Sequence, residues 1–343
     1  HVHMNYAGTY RATPARLVAQ ATAEDLDLVF NVIVNKEQRI PDIAYFSVAP
    51  DPASTKDVVL SHGQELHTSF AGHIGLLGLR DHYLLPEFAA YAGTAMASLY
   101  PTNATFADLA HEQGALVGHV HPFDVVPDPV KDPVLTDSLP VEAALGKLDY
   151  YEVVAFSDPR ATAAVWYRLL NCGFRPSAAA GTDAMTNYSS LRGPVGLDRV
   201  YVAMDSLPSE PAGRVEQWLA ALRAGRTMAT NGPLLGFTVE GKDPGSEITL
   251  PPEGGELQYR GFLRSAVPVD HLEVVVNGEV VRTIRLKGDR MSADIDGRVA
   301  VQGLGWVLLR AWNDDSYPDT LDAYPYGTTN PVFFGGATAA THC

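Results

Sequence analysis

The stretch Thr105-Phe106-Ala107-Asp108-Leu109-Ala110-His111-Glu112-Gln113-Gly114-Ala115-Leu116-Val117-Gly118-His119-Val120-His121-Pro122 reads as one complete structural unit. Residues 105–113 predict a helix, and Gly114 stops it, because only glycine enters the left-handed conformation of a helix end without strain. Ala115-Leu116-Val117 predicts a short buried strand. Two histidines two residues apart then lead into Pro122, which ends the strand and fixes the turn. A helix feeding a strand that ends in imidazoles is the signature of an α/β fold with its chemistry at the strand ends.

The same alternation extends in both directions. Thr13-Pro14 opens a helix, with Thr as cap and Pro at the first helical position. Leu26 to Val34 is a nearly continuous apolar run, as in a strand covered on both faces. Further strands are expected at Val58 to Leu60, His73 to Leu79, Tyr151 to Phe156 and Ser177 to Ala180. Helices are expected at Val141 to Leu145, Ala161 to Asn171 and Pro211 to Ala224. After Asn231-Gly232-Pro233 helical periodicity stops. Asn277-Gly278, flanked by two β-branched runs, is a hairpin signal, and Trp306 to Trp312 and Pro331 to Phe334 are further strands. The organisation predicted is an α/β barrel over residues 1–233 and an all-β sandwich over 234–343 with a short disordered tail.

Composition excludes several classes. The chain has 343 residues and a net charge of −15, with 40 acidic and 25 basic side chains. Such a charge repels a nucleic-acid backbone, and no Lys/Arg cluster compensates for it. No stretch approaches the ~20 apolar residues of a membrane span. A small-molecule substrate is therefore expected, with no nucleic acid and no membrane insertion. Two cysteines, Cys172 and Cys343, do not make the disulfide framework of a small secreted domain; Cys172, in an apolar helical run, reads as a buried inert thiol. The chain begins at what reads as a strand end, so the N-terminal strand is expected to be truncated. An export signal, if any, would lie in the missing segment.

Four clusters carry chemistry. His1 and His3 lie two apart, so on a strand both imidazoles project to one face and can meet one metal ion. His62-Gly63-Gln64-Glu65-Leu66-His67 is followed by Gly72-His73, and a carboxylate such as Glu65 has two oxygens with which to bridge two cations. His119 and His121 form the third cluster. Gly181-Thr182-Asp183 ends a small-residue strand in a further carboxylate. Each has a bland alternative, as solvated histidines, a surface acid or a capping Asp. Two His-x-His pairs at strand ends are nevertheless hard to reconcile with core packing, because buried imidazoles need partners.

In this order, His1-Val2-His3, Gly63-Gln64-Glu65, Gly72-His73 before Leu76-Leu77-Gly78, His121-Pro122 and Gly181-Thr182-Asp183 resemble the motifs of the PHP (polymerase and histidinol phosphatase) metallohydrolases. The wording of residues 1–6, 34–43 and 167–175 is similar to the carbaryl-hydrolase-like CehA/McbA branch. The resemblance covers residues 1 to about 233. It implies a distorted (β/α)7 barrel with two divalent ions (Zn, Mn or Fe) at the strand ends. His1, His3, Glu65 and Asp183 would hold one ion, and Glu65, His73 and His121 the second, with a bridging hydroxide as nucleophile. Two departures affect a third site: the Asp-His pair common in the family is absent near Ile33-Val34-Asn35, and Met185 stands where a histidine is usual. Lys36 or Arg39 is expected to replace the missing positive charge, and His119 to transfer a proton, to support a ligand or to be a ligand itself.

The resulting expectation is a metal-dependent hydrolase of a small carboxylic ester, carbamate or amide. A PHP-type phosphoesterase is the alternative within the enzymes. Outside them stands a binding module that keeps metals only for stability.

Overall fold

The computed structural model describes residues 1–6, 9–35, 42–68, 71–84, 100–128, 130–131, 137–188 and 192–335. Its first half is built on an eight-stranded sheet. The strands are β1 (Val2–His3), β2 (Leu28–Val34), β3 (Val59–His67), β4 (His73–Leu77), β5 (Leu116–His119), β6 (Tyr150–Ala155), β7 (Ser177–Gly181) and β8 (Ala184–Met185), in the spatial order β7-β6-β5-β4-β3-β2-β1-β8. All neighbours run parallel except β4, which is antiparallel to both β3 and β5. The two outermost strands, β7 and β8, are separated in sequence only by Thr182 and Asp183. That short link draws the sheet's edges together, so the sheet curls and Asp183 lies at its seam.

Helices α1 (Pro14–Ala23), α2 (Asn103–Glu112), α3 (Leu139–Ala144), α4 (Pro159–Asn171) and α5 (Pro211–Arg223) accompany it. Their starts follow the capping rule: Thr13 Oγ1 accepts from the Arg16 amide, Asp158 Oδ1 from that of Ala161, and each of these two helices has Pro in its first turn. One face of the sheet packs on α2 through Phe106, Leu66, Ile74 and Val117. The other encloses Phe30, Val32, Leu77, Val120 and Tyr150.

The second half is two sheets around one apolar core. Strands β9 (Arg199–Val202), β10 (Thr227–Thr230), β12 (Glu247–Thr249), β14 (His271–Val276), β15 (Glu279–Ile284), β17 (Gly305–Trp312), β18 (Tyr326–Thr329) and β19 (Val332–Gly335) form one; β11 (Leu234–Val239), β13 (Gly255–Arg264) and β16 (Ser292–Val301) form the other. Phe237, Leu257, Leu263 and Val299 face Val274, Leu309 and Phe334 between them. The β14–β15 hairpin turns on Asn277 and Gly278, both with positive φ (51° and 91°), as the sequence pair requires.

The second sheet begins before residue 233, since β9 and β10 hydrogen-bond into it. The reason lies at β7, the edge of the first sheet. The Ala178 amide donates to Asn330 Oδ1 and its carbonyl accepts from Thr227 Oγ1, so side chains of β10 and of the β18–β19 turn close that edge. Trp306, fully buried, joins the halves: its indole N–H donates to Asn171 Oδ1 on α4 and its ring packs on Tyr167. Cys172, at the end of α4, is disulfide-bonded rather than the inert thiol expected; Cys343 lies outside the described residues. Among the described residues no helix is long and apolar enough to cross a membrane.

Candidate metal centre

Glu65 is the hub. It lies on β3, almost fully buried, on the face that points inside the curled sheet. His3 Nε2 and His67 Nε2 each lie 2.9 Å from its Oε2, and His1 Nε2 lies 3.6 Å away. His121 Nε2 and His73 Nδ1 approach the other oxygen, Oε1, at 2.9 and 3.0 Å. Asp183 Oδ1 completes one side, 2.7 Å from His3 Nε2 and 3.5 Å from His1 Nε2.

The outer nitrogens explain the aim of the first pair. His1 Nδ1 is 2.9 Å from Glu152 Oε1 and His3 Nδ1 is 2.7 Å from the Val32 carbonyl. Each ring spends its Nδ1–H outward and turns an Nε2 lone pair inward, the arrangement that orients metal-binding imidazoles. Gly181 makes the first contact possible, because a Cβ there would stand 2.4 Å from both Glu152 Oε1 and His1 Cβ.

Inside, His1 Nε2, His3 Nε2, Glu65 Oε2 and Asp183 Oδ1 are buried, face one another and complete no hydrogen bond. Their donor atoms lie within 4.8 Å of each other. Burial disfavours charge on all four groups, yet mutual attraction prevails. The carboxyls of Glu65 and Asp183 stay below their ordinary range: burial pushes both up, and the neighbouring imidazoles more than offset it. His1 and His3 lie above theirs, with burial opposed by Glu152 and Glu65 for the one and by Asp183 and Glu65 for the other. Such a site demands positive charge, and a divalent cation on deprotonated imidazoles satisfies it as well as protons do. The donor set of imidazole and carboxylate without thiolate suits Zn, Mn or Fe.

The second set differs from the expected Glu65, His73 and His121. The donors within 4.8 Å of one another are those of Glu65, His67 and His73, with the two imidazoles stacked at 3.6 Å between centroids. His67 carries a signal in the sequence: it stands two residues after Glu65 on the same strand, hence on the same face. His121 contacts Glu65 Oε1 from β5's end and lies 3.7 Å from Asp183 Oδ2.

His119 is not at the centre. Alternation on β5 puts it with Val117 on the helix-covered face, where its Nε2 lies 3.0 Å from Glu142 Oε2 of α3. His121 joins Glu65 only because the strand has ended and its backbone is left-handed (φ 34°). Asp183 is left-handed too (φ 54°), so two of the converging residues hold conformations that cost energy and recur at functional sites. Lys36 and Arg39 lie outside the described residues.

Arg192 and Glu152 are additions that the sequence reading did not contain. Arg192 Nη1 donates to Asp183 Oδ2, and its guanidinium lies 4.2 Å from the Phe156 ring centroid; Phe156 in turn packs on His121. Nothing local to Arg192 signals this role. Glu152 does carry a signal, as a lone acid in the apolar strand Tyr150-Tyr151-Glu152-Val153-Val154. Beside the centre opens a pocket of about 490 Å³, walled by Phe156, Arg192 and Asp198 from the first half and by Asp322 and Tyr324 from the second.

No family model matches this chain, and no curated protein matches it. Among solved structures, the crystal structure of PsfC from Pseudomonas syringae PB-5123 aligns with 64% of this chain and 86% of its own, at 14% identity and a TM-score of 0.42. A likeness at that level transfers neither fold detail nor function.

Proposed function

We propose that the chain is a metal-dependent hydrolase of small esters, carbamates or amides, built as a variant of the PHP-type barrel. The observation that carries the reading is the convergence of four buried, hydrogen-bond-free donor atoms from His1, His3, Glu65 and Asp183, with both imidazoles anchored from behind. Divalent ions held there and by Glu65, His67 and His73, with His121 on the shared carboxylate, would supply an activated water and polarise the scissile carbonyl. Glu65 belongs to both sets, with His3 and His67 on its Oε2 and His73 and His121 on its Oε1, and would be the carboxylate they share. Glu152 holds the His1 ring in place, and its Oε2 accepts from the His121 amide 3.1 Å away, so one carboxylate positions two of the ligands. Arg192, stacked on Phe156 at the mouth of the pocket, places a guanidinium where charge develops on the carbonyl oxygen. It stands as the described counterpart of the cation expected from Lys36 or Arg39.

Metal analysis of the purified chain followed by kinetics on 4-nitrophenyl acetate, a 4-nitrophenyl carbamate and 4-nitrophenyl phosphate tests the reading. Bound metal with chelator-sensitive turnover of the carbonyl substrates is expected. A higher kcat/KM for the phosphate would assign phosphoester chemistry instead. Metal without turnover on the whole panel would make the chain a metal-stabilised binding module.

A further inference from the structure

The pocket beside the centre has an unusual wall. Five aspartates line it, Asp124, Asp158, Asp198, Asp314 and Asp322, against one cation, Arg192, which is already paired with Asp183. Two of the five are engaged. Asp158 accepts from the Ala161 amide and from the Tyr324 hydroxyl, and Asp314 lies 2.9 Å from His271 Nε2. Asp198 differs from all of them. It is only 6% exposed, and among the described residues its carboxyl has no hydrogen-bond or ion-pair partner. Its backbone is clamped on both sides by the Thr182 hydroxyl, which fixes it next to the Asp183 seam. The adjacent Arg199 is turned away, onto Glu24 and the Gly196 carbonyl. Burial, with Glu152 nearby, pushes the Asp198 carboxyl up to about 8, which measures how poorly its charge is satisfied.

Asp198 lines both the narrow cavity that holds His1, Glu65 and Glu152 and this wider pocket, and a cation entering from the wider side would stabilise its charge. The rest of the lining argues that this cation is organic. Phe156, Leu197, Leu321 and Tyr324 supply apolar and aromatic surface, which suits an alkyl chain ending in an ammonium. The aspartates do not converge: among the described residues, no metal-holding group includes any of the five.

We propose that this pocket is the subsite for a protonated alkylamine on the substrate, with the ammonium paired to Asp198 and attracted by Asp124 and Asp322 at the rim. That the same molecule carries a hydrolysable carbonyl bond rests on the function proposed above; the amine site itself does not.

The test is direct binding to the full metal-loaded chain. n-Butylammonium is expected to bind by calorimetry, more weakly as salt rises, whereas n-butanol and butyrate are not. Asp198→Asn should weaken n-butylammonium binding about tenfold or more. The double variant Asp124→Asn/Asp322→Asn, changed only at exposed positions and so insulated from folding defects, should weaken it several-fold. Absence of n-butylammonium binding, equal binding of n-butanol, indifference of binding to both variants, or displacement of n-butylammonium by calcium at equimolar concentration would each overturn the proposal. In kinetics, 4-nitrophenyl 6-aminohexanoate should show a lower KM than 4-nitrophenyl heptanoate, and Asp198→Asn should erase the difference. Ammonium binding without turnover of either ester leaves the subsite standing and counts against the hydrolase reading alone.

Discussion

Strands β3 and β13 are nearly equal in length, nine and ten residues, and opposite in construction. Every residue of β3 is buried, including Ser61, His62, Gln64, Glu65 and His67. β13 alternates, burying Leu257, Tyr259 and Leu263 while the residues between them largely face solvent. The first strand takes polar groups out of water, where each needs a hydrogen-bond or charged partner. Gln64 exchanges two hydrogen bonds with the Leu84 backbone, His62 pairs with Asp51, and Glu65 and His67 meet at the centre. The second strand buries mainly apolar area, which stabilises without demanding partners. Polar burial therefore marks the proposed metal centre, and apolar burial where the molecule is held together. The two halves share the load through the Trp306 junction and the sealed edge of β7.

The largest expected effect tests that division from the supporting side. Trp306→Ala removes a fully buried indole and should cost about 3–5 kcal/mol of unfolding free energy in denaturant titration, while folded protein keeps its metal content. Loss of metal from the still-folded variant would show that the halves are not separable in this way. Glu65→Gln is the counterpart on the working side. It should lower turnover on the order of 10²–10³-fold and reduce bound metal, with little change in the unfolding midpoint. A variant that retains full metal and activity would remove Glu65 from the hub.

Between these lies Glu152→Gln, which loosens the rings from behind without touching the donor set. Metal affinity should fall about 10–100-fold, the usual cost of losing an outer partner of a ligating histidine, read by competition with a chelator. Unchanged affinity would mean that the imidazoles are held by packing alone.

The next effect is a pH dependence. The Asp198 carboxyl is raised, chiefly by burial, to about 8 from 3.8, with Glu152 raising it further and Arg199 opposing. The folded chain thus keeps a proton that the unfolded chain releases near pH 4. This contribution to stability is complete below about pH 4 and is lost as pH rises toward 8. Asp198→Asn lacks the slope, so the variant should gain on the parent chain across that window in melts at successive pH values. Parallel curves would refute the assignment. The smallest effect belongs to Met185→Leu. Met185 pairs with His3 across β8 and β1 but offers only a thioether, so metal content should not change measurably.

Much of the first half is legible because its signals are local. Thr13-Pro14, Asp158-Pro159 and Gly114 fix helix ends by satisfying or stopping backbone groups within a turn, and β2 announces itself as an apolar run. The i, i+2 rule placed His1 and His3 together, and the same rule applied to Glu65 and His67 finds His67. It fails at His119 and His121, because it holds only while the backbone stays extended, and His121 is left-handed. The sequence reading contains neither β13 nor β16, among the longest strands: their alternation is diluted by Gly, Arg and Asp on the solvent side, and they pair with each other, with β11 on the far side of β13.

The sequence by itself determined the alternation of strands and helices, the change of character near residue 233, and the residue types able to hold a cation, since each depends on spacing along the chain. Tertiary structure alone decided that His119 pairs with Glu142 away from the centre, that His67 joins it, that Glu152 and Arg192 reach it from 31 and 9 residues away from His121 and Asp183, and that Asp198 is buried without a partner among the described residues. Those outcomes depend on how the sheet curls to bring β7 and β8 together, a long-range closure that no local pattern of residues encodes.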